Sequence, residues 1–306
     1  MSDTVLLADV RSVGVATVQD GGRRGLAHLG VPLSGALHRE RYAAAGLLLR
    51  GAPDPGLPSI ELLAGRLVLT VHAPTQIAVV GPARVTVDER HAAAGVVLGT
   101  EPGSQVAVEV TPGAGAAYVV VDGWRAERVL GSAATDTFGG LGGAPLTAGY
   151  ALVGRPPVER ARVGWFCRLP ATPSGPIRYV PSTAGEALVG SWQVAAASRS
   201  GIRLAATAGT GAQGADRAGA VSHPVVPGTV QLTPGGEAIV LGPDGGVTGG
   251  YLVAGVVASV DLDRVATIAA GAMVRFAAID VTSAHAAALA RREALRRCLG
   301  HADLAR

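Results

Sequence analysis

Short apolar runs separated by turn signals make up most of the chain. Between Ile60 and Val121 they include RLVLTV, QIAVVGP, QVAVEV and AAYVVVDG, and a second series after Tyr179 includes WQVAA, GIRLAATAG and EAIVLGP. Apolar runs of about four to eight residues, bounded by Gly, Pro or Asp, are typical of buried strands. The pattern therefore predicts a mostly β protein with two strand-rich modules.

Two segments have helical patterns instead. The first is HRERYAAAGLLL, residues 38–49, and the second is VTSAHAAALARREALRRCL, residues 281–299. In the second, Thr282 or Ser283 is the candidate N-cap and Gly300 follows the end. The sequence predicts a few short helices and a C-terminal helix. The apolar stripe predicted for the C-terminal helix consists of Val281, Ala284, Ala288, Leu295 and Leu299.

The two modules are joined by a segment rich in proline and arginine, VGRPPVERARVGWFCRLPATPSGPIRYV. Proline is unfavourable both inside a helix and in a central strand. We therefore predict a domain boundary near residue 170, which gives domains 1–170 and 171–306.

Composition excludes several classes of function. The 306 residues are 48% hydrophobic, which is enough for a sizeable core, and every one of the 26 basic residues is arginine. Without lysine the chain has neither a Walker A loop nor a Schiff-base nucleophile. The arginines are scattered among 4% aromatic residues, unlike the basic, aromatic surfaces that bind nucleic acids. We expect no nucleic-acid partner.

Cysteine usage and the N-terminus bear on the compartment. Cys167 and Cys298 are the two cysteines, far apart in sequence, which is too few for a disulfide framework and gives no metal-ligand spacing. The N-terminal MSDTVLLADV has no export signal, and no apolar run approaches the roughly 20 residues of a spanning helix. We expect a cytoplasmic protein with no membrane segment and no bound metal.

Three polar, glycine-rich patches interrupt the apolar pattern. The first polar patch is TVQDGGRRGLAHLGVPLSGALH (17–38), the second is GSAATDTFGGLGG (131–143) and the third is GPDGGVTGGY (242–251). Asp, Ser and Thr beside glycine often bond only their own backbone in turns. Three such patches are also typical of a functional site in which acid, base and anion-binding side chains converge, since Arg23 and His28 lie close in sequence to the carboxylate of Asp20. Residues alone leave both interpretations open.

In this order the patches resemble the family of the 5-oxoprolinase C subunit. This family is also called the biotin-dependent carboxyltransferase or allophanate hydrolase subunit 2 family, and it includes the KipI antagonist. Residues 17–36 match its pattern T-V-Q-D-x-G-R-x-G-x-x-H-x-G-V-P-x-S-G-A, and the second polar patch matches G-S-x-x-T-D-x-x-x-G-x-x-G. WQVAAASRSGIRL, VVPGTVQLTPGGEAIVL and TGGY are similar to later family motifs.

The resemblance implies two tandem cyclophilin-like β-barrel domains and one component of an ATP-dependent 5-oxoprolinase, which opens 5-oxo-L-proline to L-glutamate. Implied partners are a smaller protein like the B subunit of 5-oxoprolinase, of the allophanate hydrolase subunit 1 or KipI type, and a third subunit of the LamB/YcsF type. ATP would be bound by the assembled complex. One alternative is a non-catalytic regulatory binding protein resembling the antagonist of a histidine-kinase inhibitor. Another is a carboxyltransferase acting on a urea-like amide, with biotin on another chain.

The matched positions give the candidate site residues. The acid, base or orienting groups are Asp20, His28 and Asp136. The candidate substrate-binding residues are Gln19, Arg23, Ser34, His38, Thr135, Arg199, Arg203, Thr248 and Tyr251.

The chain also departs from the family's motifs. The family's D-R-x-T-T-G-G-Y-P has Gly245 in place of arginine, Val247 in place of threonine and Leu252 in place of the final proline. His38 stands where the family has aspartate, so a titratable ring replaces a permanent acceptor. These departures predict a changed substrate or a non-catalytic paralogue.

Overall fold

The computed structural model describes residues 4–182, 188–207, 211–212 and 221–301, and the chain divides into two units. Unit 1 comprises Met1–Arg23, His38–Pro170 and Leu295–Arg306, and unit 2 comprises Arg24–Leu37 and Ala171–Ala294. Compared with the predicted domains 1–170 and 171–306, residues 24–37 and 295–306 are each grouped with the other unit.

Strands coincide with the apolar runs of the sequence, which confirms the mostly β fold. Up to Pro170 they are β1 (Val5–Ser12), β2 (Val15–Gln19), β3 (Ser59–Ala64), β4 (Arg66–Val71), β5 (Thr75–Val80), β6 (Ala83–Val87), β7 (Arg90–Ala92), β8 (Val97–Thr100), β9 (Gln105–Val110), β10 (Ala117–Val121), β11 (Ala151–Gly154) and β12 (Trp165–Cys167).

The remaining strands follow the second series of apolar runs. They are β13 (Ile177–Pro181), β14 (Leu188–Val189), β15 (Trp192–Ser198), β16 (Gly201–Ala206), β17 (Gly211–Ala212), β18 (His223–Pro224), β19 (Thr229–Leu232), β20 (Ala238–Leu241), β21 (Thr248–Gly249), β22 (Leu252–Val257), β23 (Met273–Val274), β24 (Phe276–Ala278) and β25 (Leu299–His301).

The helices are α1 (Arg39–Arg50), α2 (Leu262–Val265) and α3 (Val281–Arg296), with a short 3₁₀ turn at Ala27–Leu29. α1 confirms the helix predicted at 38–49. Gly51 follows its last residue, and the left-handed φ of 74° at Gly51 is the usual glycine conformation after a helix.

The C-terminal helix is present, but its details differ from the prediction. It ends at Arg296 rather than at residue 299, and β25 follows it. Asp280 caps its first turn, because the Asp280 carboxylate accepts the Ser283 N–H at 2.7 Å and its carbonyl accepts the Ala284 N–H at 3.0 Å. None of its side chains is buried, and Val281 of the predicted apolar stripe is 54% exposed.

Unit 1 is built from two antiparallel sheets. Their strand orders are β11-β1-β4-β9-β6-β7 and β2-β3-β10-β5-β8. One apolar core takes side chains from both sheets, such as Leu69 of β4 and Val119 of β10. On the other side of β10, Val120 packs in a second core with Leu48 of α1. Burial on both sides explains why AYVVV is continuously apolar.

A disulfide between Cys167 and Cys298 lies in this second core. Two cysteines are too few to predict a disulfide framework from the sequence, yet these two are bonded to each other. The bond joins β12 to the residue before β25, and these two strands also pair with each other. The two cysteines have a sequence separation of 131, and the residues between them include all of Ala171–Ala294 from unit 2.

Unit 2 contains a nearly closed barrel sheet. Its strand order is β23-β15-β16-β20-β19-β22-β13-β24, antiparallel except for the parallel β13–β24 pair. β23 and β24 stand at opposite ends of this order but are separated in the chain by Arg275 alone, so the two edges meet through one residue. Trp192, Val230 and Val240 are buried in its core.

Asp261 fixes the start of α2 in unit 2 through two arginines. Its carboxylate accepts the Arg178 N–H, Nε and Nη2 at 2.8–3.0 Å and Arg264 Nη1 at 3.1 Å. Burial alone would raise the pKa of Asp261, but the hydrogen bonds from Arg178 and Arg264 outweigh it and lower the pKa.

The pKa of Asp261 in the folded protein lies below its ordinary value. Its ionised form therefore stabilises the fold fully at pH values above the ordinary carboxyl pKa, and this stabilisation is lost as the pH falls through the folded pKa. We expect Asp261→Asn to lower the free energy of unfolding by about 1–3 kcal/mol at neutral pH. The difference between wild type and variant should narrow below about pH 4. Urea titrations at several pH values measure this, and a pH-independent difference would contradict it.

No helix within the described residues is long and apolar enough to cross a membrane.

Candidate functional site

The first and second polar patches meet in unit 1, where Asp20 ties them together. Oδ1 of Asp20 accepts the Gly22 N–H at 2.8 Å and the Ser132 hydroxyl at 2.6 Å, and Oδ2 accepts the Ala133 N–H at 2.8 Å. Arg128 Nη1 lies 3.7 Å from Oδ2. The buried carboxylate of Asp20 therefore has partners on both oxygens.

Arg23 holds the same two patches through backbone carbonyls. Its Nε donates to the Val129 carbonyl at 3.1 Å, and its Nη2 donates to the Ala134 carbonyl at 2.5 Å. A Cβ on Gly142 would overlap both Nη2 of Arg23 and the Ala134 oxygen. The glycine in the second patch is thus required to admit the guanidinium of Arg23, a residue that is 2% exposed.

Gln19 connects the end of β2 to Thr135. Its Nε2 donates to Thr17 Oγ1 and to the Thr135 carbonyl, each at 2.9 Å. Gln19 is fully buried, yet no partner for its Oε1 is found in the described part of the chain. Buried polar atoms in proteins are usually hydrogen-bonded, so this oxygen is an acceptor available for a further hydrogen bond.

Asp136 organises the loop that follows Thr135. Its Oδ1 accepts the N–H groups of Phe138 at 3.0 Å and Gly139 at 2.9 Å, and its own N–H donates to the Leu141 carbonyl at 2.7 Å. Its Oδ2 has no partner among the described residues, although Asp136 is 1% exposed. Of the three candidate acid or base groups, Asp136 is thus a buried carboxylate with one oxygen unused.

The remaining residues of the first patch are placed differently. His28 is exposed in the 3₁₀ turn of unit 2, and the hydrogen bonds of Asp20 and Asp136 described above do not involve it. His38 is buried at the N-cap of α1, where its Nδ1 accepts the Arg41 N–H at 3.3 Å and its own N–H donates to Tyr118 Oη at 2.7 Å. The His38 side chain therefore makes the hydrogen bond that an aspartate side chain makes at a helix N-cap.

The capping role of His38 gives a testable expectation. His38→Ala should lower the free energy of unfolding by about 0.5–2 kcal/mol, because the Arg41 N–H loses its acceptor. His38→Asp should keep the cap and lose little, since a carboxylate is favoured in the first turn of a helix. Urea titration of the three proteins measures this. Equal losses in the alanine and aspartate variants would contradict the capping role.

In unit 2, Arg199 and Asp244 form a buried ion pair. Nε and Nη2 of Arg199 donate to the two carboxylate oxygens of Asp244 at 2.8 and 2.9 Å, and Nη2 also donates to the Gly35 carbonyl at 2.6 Å. The Ser34 N–H donates to the Pro243 carbonyl at 2.8 Å. These bonds hold the end of the first patch against the third patch.

Ser34 sits strained in this turn. Its φ of 52° lies in the left-handed region, which is uncommon for residues other than glycine. It is 2% exposed, and no partner for its hydroxyl occurs within the described ranges. Strained residues with an unused polar group are more frequent at functional sites.

The other predicted binding residues of unit 2 lie at the surface. Thr248 is exposed and Tyr251 is 44% exposed. Arg203 pairs with Glu237 at 3.5 Å, with 60% of its side chain exposed. A Cβ on Gly245 would lie 3.0 Å from the Ser200 carbonyl oxygen, so the arginine of the family pattern would need a backbone adjustment here.

Sequence reasoning missed Ser132 and Gln231 as site residues. Ser132 donates to Asp20, and Gln231 is a buried amide of β19 whose Nε2 has no partner among the described residues. A Cβ on Gly249 would overlap that Nε2, so the TGGY glycine makes room for it. The available signal for Gln231 was its polar side chain in the alternating strand TVQL, and Ser132 stood in the matched motif G-S-x-x-T-D.

Comparisons with known proteins agree with the motifs. A family model described as carboxyltransferase domain, subdomain A and B, matches residues 29–278. The C subunit of 5-oxoprolinase from Escherichia coli (strain K12) is 29% identical over 291 residues, covering 89% of this chain and 90% of that protein.

Two solved structures are also similar. TTHA0988 superposes with a TM-score of 0.79 at 25% identity and covers 89% of this chain, which spans 55% of the length of TTHA0988. The urea amidolyase of K. lactis gives a TM-score of 0.82 at 19% identity over 96% of this chain and 20% of that one, and shares the fold.

Proposed function

Because the chain belongs to the carboxyltransferase domain family, subdomain A and B, we propose that it is part of an enzyme that acts on an amide carbonyl. More specifically, we propose a subunit of an ATP-dependent 5-oxoprolinase-type amidohydrolase. The similarity to the 5-oxoprolinase C subunit over most of both chains supports this choice of substrate.

The observation that carries the proposal is the unused oxygen of Asp136. Asp20 has partners on both carboxylate oxygens and His28 is exposed, so Asp136 is the candidate acid or base that is both buried and open to a new bond. A general base must lie within hydrogen-bond reach of the proton that it accepts, and Oδ2 of Asp136 has the free lone pairs for this.

Lactam hydrolysis makes clear what this base would do. ATP phosphorylates the lactam oxygen and releases ADP, and water then attacks the activated carbon. The C–N bond breaks and the nitrogen takes a proton, which leaves an acyl phosphate, and a second water hydrolyses this to L-glutamate and inorganic phosphate. Asp136 would orient the attacking water and accept its proton. In the exposed glycine-rich loop 137–140, the Gly139 N–H donates to Oδ1 of this carboxylate and the Gly140 N–H donates to the Asp136 carbonyl.

ATP would be bound by other components of the assembly. The chain contains no lysine, so it has no Walker A side chain for the β- and γ-phosphates. We propose that the remaining components are a smaller partner like the B subunit of 5-oxoprolinase and a third subunit of the LamB/YcsF type. The relative is itself named as one subunit of 5-oxoprolinase, which supports a complex of several subunits.

Reconstitution tests the function. The chain is mixed with the smaller partner, the LamB/YcsF-type subunit, ATP and 5-oxo-L-proline, and ADP and glutamate are measured. We expect both products in equal amounts with all components, and neither above background when this chain is omitted. Stoichiometric binding to the smaller partner without turnover would overturn the proposal in favour of a regulatory binding protein.

Carboxyl transfer is the second candidate, because the matching family model is described as a carboxyltransferase domain. With no lysine to carry biotin, this chain would have to receive carboxybiotin from another protein. Labelled bicarbonate that reaches urea in the presence of ATP, a biotin carboxylase and such a carrier, with no glutamate formed from 5-oxoproline, would favour this reaction.

A further inference from the structure

We infer that Gln19 Oε1 and Asp136 Oδ2 form an acceptor pair that binds the hydrogen-bond donors of an amide substrate, its N–H above all. The inference rests on the proposed function, because it assigns part of the substrate to the same site. It names the ligand class as neutral amides that carry an N–H, such as lactams and ureas.

The atom of the Gln19 amide that lacks a partner among the described residues is its oxygen. Amide oxygen and nitrogen are often interchangeable in a structure, but not here. The Thr135 carbonyl oxygen only accepts hydrogen bonds, so the Gln19 atom that faces it at 2.9 Å is the nitrogen. The atom left without a partner in the described residues is therefore the oxygen, an acceptor.

Gln19 is connected to Asp136 through the peptide unit between Thr135 and Asp136. Gln19 bonds the carbonyl of Thr135, and that carbonyl belongs to the peptide unit whose nitrogen is the Asp136 N–H. The two residues that carry the unused acceptors are thus linked through a single peptide unit. A Cβ on Gly139 would overlap Asp136 Oδ2, so the glycine keeps the space beside this oxygen free of a side chain.

Such a pair of acceptors selects its ligand by charge and by hydrogen-bond donors. Two acceptors, one of them a carboxylate oxygen, repel carboxylate and phosphate groups and attract N–H or O–H donors. A lactam supplies one N–H, and the attacking water can supply the second donor. Urea supplies both donors itself. The carboxylate of 5-oxoproline must therefore be held by other groups.

Selectivity for the N–H provides the test. Binding of 5-oxo-L-proline and of its N-methyl derivative to the assembled complex is measured by calorimetry without ATP. The N-methyl compound keeps the ring, carbonyl and carboxylate but has no N–H. We expect it to bind about 5- to 150-fold more weakly to the wild type, the factor for leaving a buried acceptor unpaired.

Variants separate a binding role from a structural one. Gln19→Met and Asp136→Asn should each bring the ratio of the two affinities towards one. Gln76→Met is the matched control, because Gln76 is a buried amide of β5 whose Nε2 bonds Asp122 and whose Oε1 accepts the Arg162 N–H. The control should lose stability but keep the wild-type ratio. If Gln19→Met fails to fold, Asp136→Asn alone decides.

The outcomes distinguish this inference from the proposed function. A wild-type ratio near one, or a ratio unchanged in Gln19→Met and Asp136→Asn, would overturn the acceptor pair even if the complex forms glutamate. A selectivity that depends on both residues, without glutamate from ATP and 5-oxoproline, would support the pair and reject the hydrolysis.

Discussion

Replacing Asp244 by asparagine is expected to lower the free energy of unfolding by about 3–5 kcal/mol, the largest loss that the structure suggests outside the apolar cores. Asp244 and Arg199 are 1% and 5% exposed and share two hydrogen bonds. Asparagine has nearly the same shape but leaves the buried guanidinium without its counter-charge, which is the costly situation for such a pair.

Glu237→Gln is the matched control for Asp244→Asn. Both changes turn a carboxylate paired with arginine in unit 2 into an amide, but the Arg203–Glu237 pair is 60% and 42% exposed. Exposed pairs contribute about 1 kcal/mol or less. Urea titrations of the two variants should therefore differ clearly. Similar small losses in both would show that Arg199 and Asp244 are not a buried pair in solution.

The disulfide gives the second large effect. Cys298→Ser is expected to destabilise the protein by about 2–5 kcal/mol, because the bond closes a loop with a sequence separation of 131 residues. A long loop gains more entropy in the unfolded chain when it is opened, and the bond also lies in the core packed against α1.

Redox chemistry supplies the control for this variant. Reductant should lower the thermal midpoint of the wild type to that of Cys298→Ser and leave the variant unchanged. Cys167→Ser and the double variant should match it as well, since each removes the same bond. Two free thiols per chain, measured with a thiol reagent in protein kept without reductant, would contradict the disulfide.

Local features of the fold could be predicted from the sequence because they depend on neighbouring residues. The run QIAVV lies in β5, and the amphipathic segment before GAPDPG becomes α1 with Gly51 after it. The end of the C-terminal helix was misplaced because β25, which follows it, depends on pairing with distant β12. The disulfide was missed for the same reason, since no local spacing links Cys167 to Cys298.

Candidate site residues could be found from their motifs, but not their individual environments. Asp20 and Asp136 both precede turns in glycine-rich patches, and the difference between them lies in which distant N–H and hydroxyl groups fold onto each carboxylate. Likewise Arg199 and Arg203 are four residues apart in one motif, yet one is buried in the turn between β15 and β16 and the other faces solvent. Such differences are set by tertiary contacts.

The most direct test of the central claim is the rate at which the assembled complex converts 5-oxo-L-proline and ATP to L-glutamate, with wild-type chain or with Asp136→Asn. We expect turnover with the wild type and a rate at least about 100-fold lower with the variant, the usual contribution of a general base. Equal rates in the two complexes, or glutamate formed equally well without this chain, would contradict the account.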